Sequence, residues 1–152
     1  MRLWHKDMLG VLPRQQLVAQ LRECVLIAKN IKELGKPNHI LVNKIMDYDW
    51  EEYVSYIQLV LYEFKQRGYN VRKQTLEKLE AYTGYPFPQW YDMDIRLTSV
   101  PSDLFKGWHD SEYFKICFYN LLEKSRCGGV PSDDFKRFYD YCESYLSNYR
   151  WR

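Results

Sequence analysis

Large apolar side chains recur at helical spacing along this 152-residue sequence, and no other feature constrains the fold as strongly. The longest pattern forms a stripe on one face of a single helix: Trp50, Tyr53, Val54, Ile57, Leu61 and Phe64. Asp49 can cap the start of this helix, and Arg67-Gly68 supplies a basic last turn followed by a left-handed stop. No stretch alternates between apolar and polar residues for long enough to predict a strand. We therefore expect an all-α fold with almost no sheet.

Proline and glycine mark the ends of the neighbouring helices. The first helix should begin near Pro13, which the first helical position tolerates, and should end by Gly35. Its buried stripe is Leu17, Leu21, Val25 and Ala28. A shorter helix should cover residues 72–82. Gly84, Pro86 and Pro88 then break the helical pattern, and an aromatic loop through Trp90 and Tyr91 is predicted.

Two further helices complete the prediction. One runs from Asp110 to about Lys124, with His109-Asp110 interpreted as its start, and the other is opened by Pro131-Ser132-Asp133-Asp134. One face of the last helix would carry Phe135, Phe138, Cys142, Tyr145, Leu146 and Tyr149. Because the sequence contains no internal repeat and no long linker, residues 1–152 are expected to form one compact domain of four or five helices.

Several classes of protein are disfavoured by the composition. No apolar run approaches the roughly 20 residues that a bilayer span requires, and the first residues do not resemble a secretion signal. We therefore expect a cytoplasmic protein without a membrane partner. The cysteines contain no Cys-x-x-Cys pair and are expected to be reduced and mostly buried: Cys24, Cys117, Cys127 and Cys142. We expect a monomer that uses neither a metal nor an organic cofactor.

The charge is distributed unevenly along the chain. Residues 1–44 hold eight Lys and Arg against three Asp and Glu, a net charge of +5, whereas the whole chain carries only +2. A basic first third is compatible with contacts to a phosphate backbone. A solvated positive face without any ligand explains the same charge equally well, so charge alone does not decide the function.

The α-amine of Met1 is the candidate nucleophile. An α-amine has a reference pKa of about 7.7 to 8.0, well below that of lysine, so a useful fraction is neutral at physiological pH. Glu23 lies at the margin of the first helix's buried face, together with Gln16, Ala19, Gln20 and Ile27, where a carboxylate would be partly desolvated. The alternative is that Arg22 and Glu23 are ordinary surface charges.

Three segments carry a resemblance to a known family. They are Met1-Arg2, the run Leu12…Gln15…Leu17…Ala19…Arg22-Glu23, and Lys65-Gln66-Arg67-Gly68-Tyr69-Asn70. Over roughly its first 70 residues the chain resembles the pyrimidine-dimer DNA glycosylase/AP lyase family of phage endonuclease V. The resemblance implies an all-α repair enzyme that acts on cyclobutane pyrimidine dimers in double-stranded DNA, where the N-terminal α-amine attacks the sugar C1′ and a helical glutamate assists.

Carried onto this chain, the resemblance implies that Met1 and Glu23 are catalytic and that Arg2 and Arg22 bind phosphate. The phage enzyme begins with a threonine exposed by removal of the initiator. Here the bulky Arg2 follows Met1, so we expect Met1 to be retained and to present the amine itself. His5 is a possible neighbour of the active site that, when protonated, would favour the neutral amine.

Further contacts with DNA are expected from both basic and aromatic residues. Arg14, Lys29 and Arg67 are candidate phosphate contacts, or they solvate helix surfaces. Candidates for contacting bases are Trp4, Tyr149 and Trp151, although aromatics at helical spacing more often belong to the core. His39 lies in a loop similar to a histidine-containing loop of the family, and either neighbours the active site or makes a structural hydrogen bond.

Two other functions remain open at this level. A non-catalytic nucleic-acid-binding module would keep the helical scaffold and the basic face without the chemistry. A helical protein-interaction domain would use exposed aromatic side chains against another polypeptide, and its positive segment would be incidental.

Overall fold

A computed structural model describes residues 1–87 and 103–150, with side chains up to residue 148. This part of the chain forms five α-helices and no strand: α1 (Arg14–Leu34), α2 (Trp50–Gln66), α3 (Lys73–Thr83), α4 (Ser111–Arg126) and α5 (Ser132–Arg150). Two short 3₁₀ helices, Lys6–Val11 and Asn43–Asp47, precede α1 and α2. The all-α prediction is therefore confirmed for the described residues. The predicted loop positions Pro88, Trp90 and Tyr91 lie outside them.

The predicted helix ends are correct to within one or two residues. Gly35 and Gly68 adopt positive φ values of 78° and 72°, as the left-handed stops require. Pro13 stands one position earlier than predicted, because its extended backbone (ψ 150°) makes it the N-cap of α1. Asp49 is the N-cap residue of α2, but its side chain makes no capping hydrogen bond. Asp110 does cap α4, accepting a hydrogen bond from the Tyr113 N–H at 2.9 Å.

The core lies where two helical layers meet the N-terminal segment. Helix α1 packs against both α2 and α3, α4 packs against α5, and the first 3₁₀ helix contacts α2 and α5. The predicted stripes of α1 and α2 are buried except for Val25 and Trp50, which are half-buried at the edges. Cys24, Cys117 and Cys142 are buried thiols, and Cys127 is exposed. Within the described residues, none of the helices has the length and hydropathy to cross a bilayer.

The first seven residues cross the core and are anchored by tyrosine side chains. Tyr113 of α4 donates its hydroxyl to the Leu3 carbonyl (2.6 Å), and Tyr145 of α5 donates to Asp7 Oδ2 (2.9 Å). Leu3 itself is fully buried. The N-terminal segment is thus an integral layer of the core rather than a free end.

His5 of this segment stacks on His109, and both side chains are buried. The His5 and His109 rings lie 5.2 Å apart, and the Nε2 atom of each is buried without a hydrogen-bond partner among the described residues. Burial lowers the pKa of His5 from 6.5 to about 4, although the nearby Asp7 carboxylate opposes the shift. Burial also lowers the pKa of His109 well below 6.5. Both imidazoles are therefore neutral at pH 7.

This histidine pair makes the stability of the fold sensitive to acid. Because the folded-state pKa of His5 lies below its unfolded value, the unfolded state binds more protons as pH falls, and stability is lost between pH 6.5 and about 4. We expect His5 alone to lower the free energy of unfolding by about 2 kcal/mol between pH 7 and pH 5, measured by urea denaturation.

The control is His5→Asn, which keeps a side-chain acceptor for the Asp7 N–H at the N-cap of the 3₁₀ helix but cannot titrate. Its free energy of unfolding should fall less steeply over the same pH range, whatever its absolute stability. An unchanged pH dependence in this variant would show that His5 does not cause the acid sensitivity.

Candidate active site

The structure brings the two predicted reacting groups together. The Met1 nitrogen lies 4.0 Å from Glu23 Oε1, and the two side chains are 15% and 29% exposed. The pair is therefore partly desolvated yet reachable from solvent. A primary amine next to a carboxylate can support nucleophilic attack followed by proton removal.

Helical periodicity places Glu23 at this position, as predicted. Gln16, Gln20 and Ile27 of the same face are buried, while Glu23 stands half-buried where that face meets solvent. The N-terminal segment runs alongside this flank of α1 and delivers the amine. The predicted position of Glu23 at the margin of the core is thus confirmed.

Gln20 connects the amine-bearing segment to the carboxylate. It is fully buried, and its Nε2 donates to the Arg2 carbonyl (2.9 Å) and to Glu23 Oε2 (3.3 Å). Its Oε1 accepts from the Trp4 N–H (2.8 Å) and lies 3.0 Å from the Tyr56 hydroxyl.

Sequence reasoning did not assign a role to Gln20 or Tyr56. Gln20 had a usable signal, because it lies three residues before Glu23 on the predicted face, where i and i+3 side chains are neighbours. No sequence signal pointed to Tyr56, because the Trp4 carbonyl that it binds is distant in sequence.

Arg2 connects the amine to a neighbouring cleft. Its guanidinium lies 5.6 Å from the centre of the Trp4 ring, and it borders a cleft of about 360 Å³ that Lys44 also lines. Trp4 is half-buried and packs against the core. Of the cationic candidates, Arg2 is the one that follows the amine directly in the chain.

The two candidate histidines, His5 and His39, both make contacts within the molecule. The prediction that a protonated His5 favours the neutral amine is wrong, because His5 is fully buried and its pKa is lowered to about 4. His39 makes a structural hydrogen bond instead, accepting from the Leu41 N–H of its own loop at 3.2 Å.

Arg14 and Arg22 border a different flank of α1 from Glu23. The Arg14 guanidinium lies 4.8 Å from the centre of the Tyr69 ring, and both arginines line one shallow depression. Arg22 also lines a cleft of about 480 Å³ that extends to Lys78 of α3. Lys29 is exposed and follows Arg22 by seven residues, which places it on the same flank.

Arg67 is held by bonds within the molecule. Its Nε is 2.8 Å from Glu63 Oε1, its Nη2 donates to the Leu9 carbonyl (3.2 Å), and the paired side chains are only 15% and 14% exposed. Arg67 was predicted to contact phosphate, but in the structure its bonds join the end of α2 to the first 3₁₀ helix. The Tyr149 side chain and Trp151 lie outside the described residues.

Among residues 1–87 and 103–148, no three His, Cys, Asp or Glu side chains cluster as a metal site would require.

The fold and the site define a class: a helical protein that holds a primary amine beside a carboxylate at its surface. The sequence profile of the family described as pyrimidine dimer DNA glycosylase matches residues 1–77, which is half of the chain. The chain belongs to this family. Family membership supports pyrimidine-dimer DNA glycosylase function in general, with damaged DNA as substrate. No curated protein and no solved structure matches the chain.

The half-buried pair of Arg67 and Glu63 provides a test of structural against DNA-binding roles. We expect Arg67→Gln to lower the free energy of unfolding by about 2 kcal/mol, because it removes charge-assisted hydrogen bonds that are mostly shielded from water. Lys73→Gln is the matched control, since it breaks an i,i+4 pair whose side chains are 70% and 61% exposed. That change should cost at most about 0.5 kcal/mol.

Urea denaturation measures both variants, and DNA binding at several salt concentrations distinguishes the two roles. If Arg67→Gln left stability unchanged and instead reduced the slope of log K against log salt by about 1, Arg67 would be a phosphate contact after all.

Proposed function

We propose that this protein is a DNA repair N-glycosylase with AP lyase activity on cyclobutane pyrimidine dimers in double-stranded DNA. The Met1 α-amine is the nucleophile and Glu23 is the assisting carboxylate. One observation carries the proposal: the 4.0 Å separation of the Met1 nitrogen and Glu23 Oε1 in a chain of the pyrimidine dimer DNA glycosylase family.

The reaction begins with the neutral amine attacking the sugar C1′ of the damaged nucleotide. The nitrogen–C1′ bond forms as the glycosidic bond breaks, and the base leaves with the electron pair and takes up a proton. Opening of the sugar ring then gives an iminium between Met1 and C1′. The Glu23 carboxylate, about one ion-pair distance away, stabilises this positive charge electrostatically.

The same carboxylate can complete strand scission. It removes a proton from C2′, the released electrons form a carbon–carbon double bond, and the 3′ phosphate leaves as the C3′–oxygen bond breaks. Hydrolysis of the imine then frees the amine. Glu23 suits both steps because it is partly desolvated and lies beside the amine.

Substrate access requires that the damaged nucleotide leave the base stack, at a cost of a few kcal/mol that is smallest where damage already weakens pairing. We propose that Arg2 binds a phosphate beside the reacting sugar, and that the exposed Arg22 binds a phosphate farther along the DNA, on the flank of α1 that it shares with Arg14. The half-buried Trp4, whose ring lies beside the Arg2 guanidinium, is the proposed base contact at this end of the site. Arg14 and Lys29 would contact DNA only where it extends round the other flank of α1.

Borohydride trapping tests the nucleophile directly. Protein with a free Met1 amine, verified by mass spectrometry, should become covalently linked to abasic or dimer-containing duplex DNA on reduction. A form extended by a peptide ahead of Met1 should not, because its α-amine no longer lies beside Glu23. Full trapping by the extended form would exclude the terminal amine as the nucleophile.

The role of Glu23 is tested by Glu23→Gln, which keeps the shape and an acceptor for the Gln20 amide but cannot take up the C2′ proton. We expect DNA affinity to be retained and the rate of strand scission to fall by about 10²-fold to 10⁴-fold, the usual contribution of a general base. Salt-sensitive DNA binding without trapping by the unmodified protein would instead favour the non-catalytic DNA-binding module.

A further inference from the structure

A buried hydrogen-bond network lies directly behind the amine and the carboxylate. Gln20 is fully buried, and burying an amide is costly unless its polar atoms are bonded. Its carbonyl and its NH₂ group are both satisfied, and apart from the Tyr56 hydroxyl their partners belong to the candidate site or to the segment that leads to it. No element of the proposed reaction uses this side chain.

The Gln20 amide bonds both to the carboxylate and to the backbone that carries the amine. The Nε2 group donates to Glu23 Oε2 (3.3 Å) and also to the Arg2 carbonyl (2.9 Å), one peptide unit beyond Met1. The Oε1 atom accepts from the Trp4 N–H (2.8 Å). A single rigid amide therefore sets the carboxylate and the amine-bearing backbone in one frame.

Tyr56 fixes the orientation of this frame from α2. It is fully buried, and its hydroxyl donates to the Trp4 carbonyl at 2.5 Å while lying 3.0 Å from Gln20 Oε1. Since Tyr113 holds the Leu3 carbonyl, the carbonyls of three consecutive residues are each bound by a different helix. Only Met1 itself extends beyond this anchored stretch.

We propose that Gln20 and Tyr56 are positioning residues, which set the Met1 amine against the Glu23 carboxylate through their hydrogen bonds to residues 2–4. This inference rests on the proposed function for its effect on rate. Both side chains are fully buried, so they act through the site rather than on DNA. A misplacement of about 1 Å at a reacting group can cost about 100-fold in rate, and the loss should fall on the chemical step rather than on DNA affinity.

Two tyrosines on α2 provide a matched pair of variants. Tyr53 is also fully buried and donates to a backbone carbonyl, that of Cys24 at 2.6 Å, but it does not bind the N-terminal segment. Tyr53→Phe and Tyr56→Phe should therefore lose similar stability. Only Tyr56→Phe should slow single-turnover trapping on abasic duplex, by about 10-fold to 100-fold, with an unchanged Kd for that DNA.

Gln20→Glu separates the two halves of the amide. The new carboxylate can still accept from the Trp4 N–H but cannot donate to Glu23 or to the Arg2 carbonyl. Trapping should be slow at pH 7 and should recover relative to the unaltered protein as the pH falls and the introduced carboxyl regains a proton to donate. Gln20→Met, which can neither donate nor accept, should be slow at every pH.

A measurement without DNA separates this inference from the proposed function. The rate at which a small N-terminus-selective aldehyde modifies the Met1 amine should rise in Tyr56→Phe and in Gln20→Met and should be unchanged in Tyr53→Phe, because only the first two release the amine from its anchored position. This rate reports on positioning even if the unaltered protein traps no DNA, in which case the proposed function fails alone.

The opposite results would overturn the inference. Equal labelling rates in the unaltered protein, Tyr53→Phe and Tyr56→Phe would show that the network does not place the amine. Equal slowing of trapping by the two tyrosine variants would assign their effect to stability alone. Because Tyr56→Phe removes only one hydroxyl, the test does not depend on whether Gln20→Met folds.

Discussion

The rest of the site depends on the hydrogen bonds that fix the first residues of the chain to three helices. The carbonyls of three consecutive residues near the N-terminus each accept a hydrogen bond, from Gln20 on α1, Tyr113 on α4 and Tyr56 on α2. Chain ends usually fray because few contacts restrain them. Here the bonds form only when all three helices are packed, so the distance between Met1 and Glu23 is a property of the whole fold.

The burial of this N-terminal segment also makes the fold less stable in acid. Because the N-terminal segment lies in the core, His5 is buried against His109. A protonated imidazole at either position would be deprived of most of its hydration. The features that fix the amine and those that make the fold acid-sensitive thus come from one stretch of backbone.

Helix positions were predictable because burial imposes the same periodicity on any amphipathic helix. The stripe from Tyr53 to Phe64 and the ends of α1 at Pro13 and Gly35 follow from local rules that need no partner. The role of Arg67 was not predictable, since its bond to the Leu9 carbonyl joins residues far apart in sequence. Nor was the neutrality of His5, which depends on what surrounds the ring rather than on its neighbours in the chain.

The sequence by itself determined the helical class, the position of Glu23 at the edge of a buried face and membership of a DNA glycosylase family, because periodicity and family motifs are written in local order. Tertiary structure alone decided that the amine meets the carboxylate, that Gln20 and Tyr56 bond to the segment that follows Met1, and that Arg14 borders a different flank of α1. These are contacts between distant segments, and only the packing of helices sets which side chains share a surface.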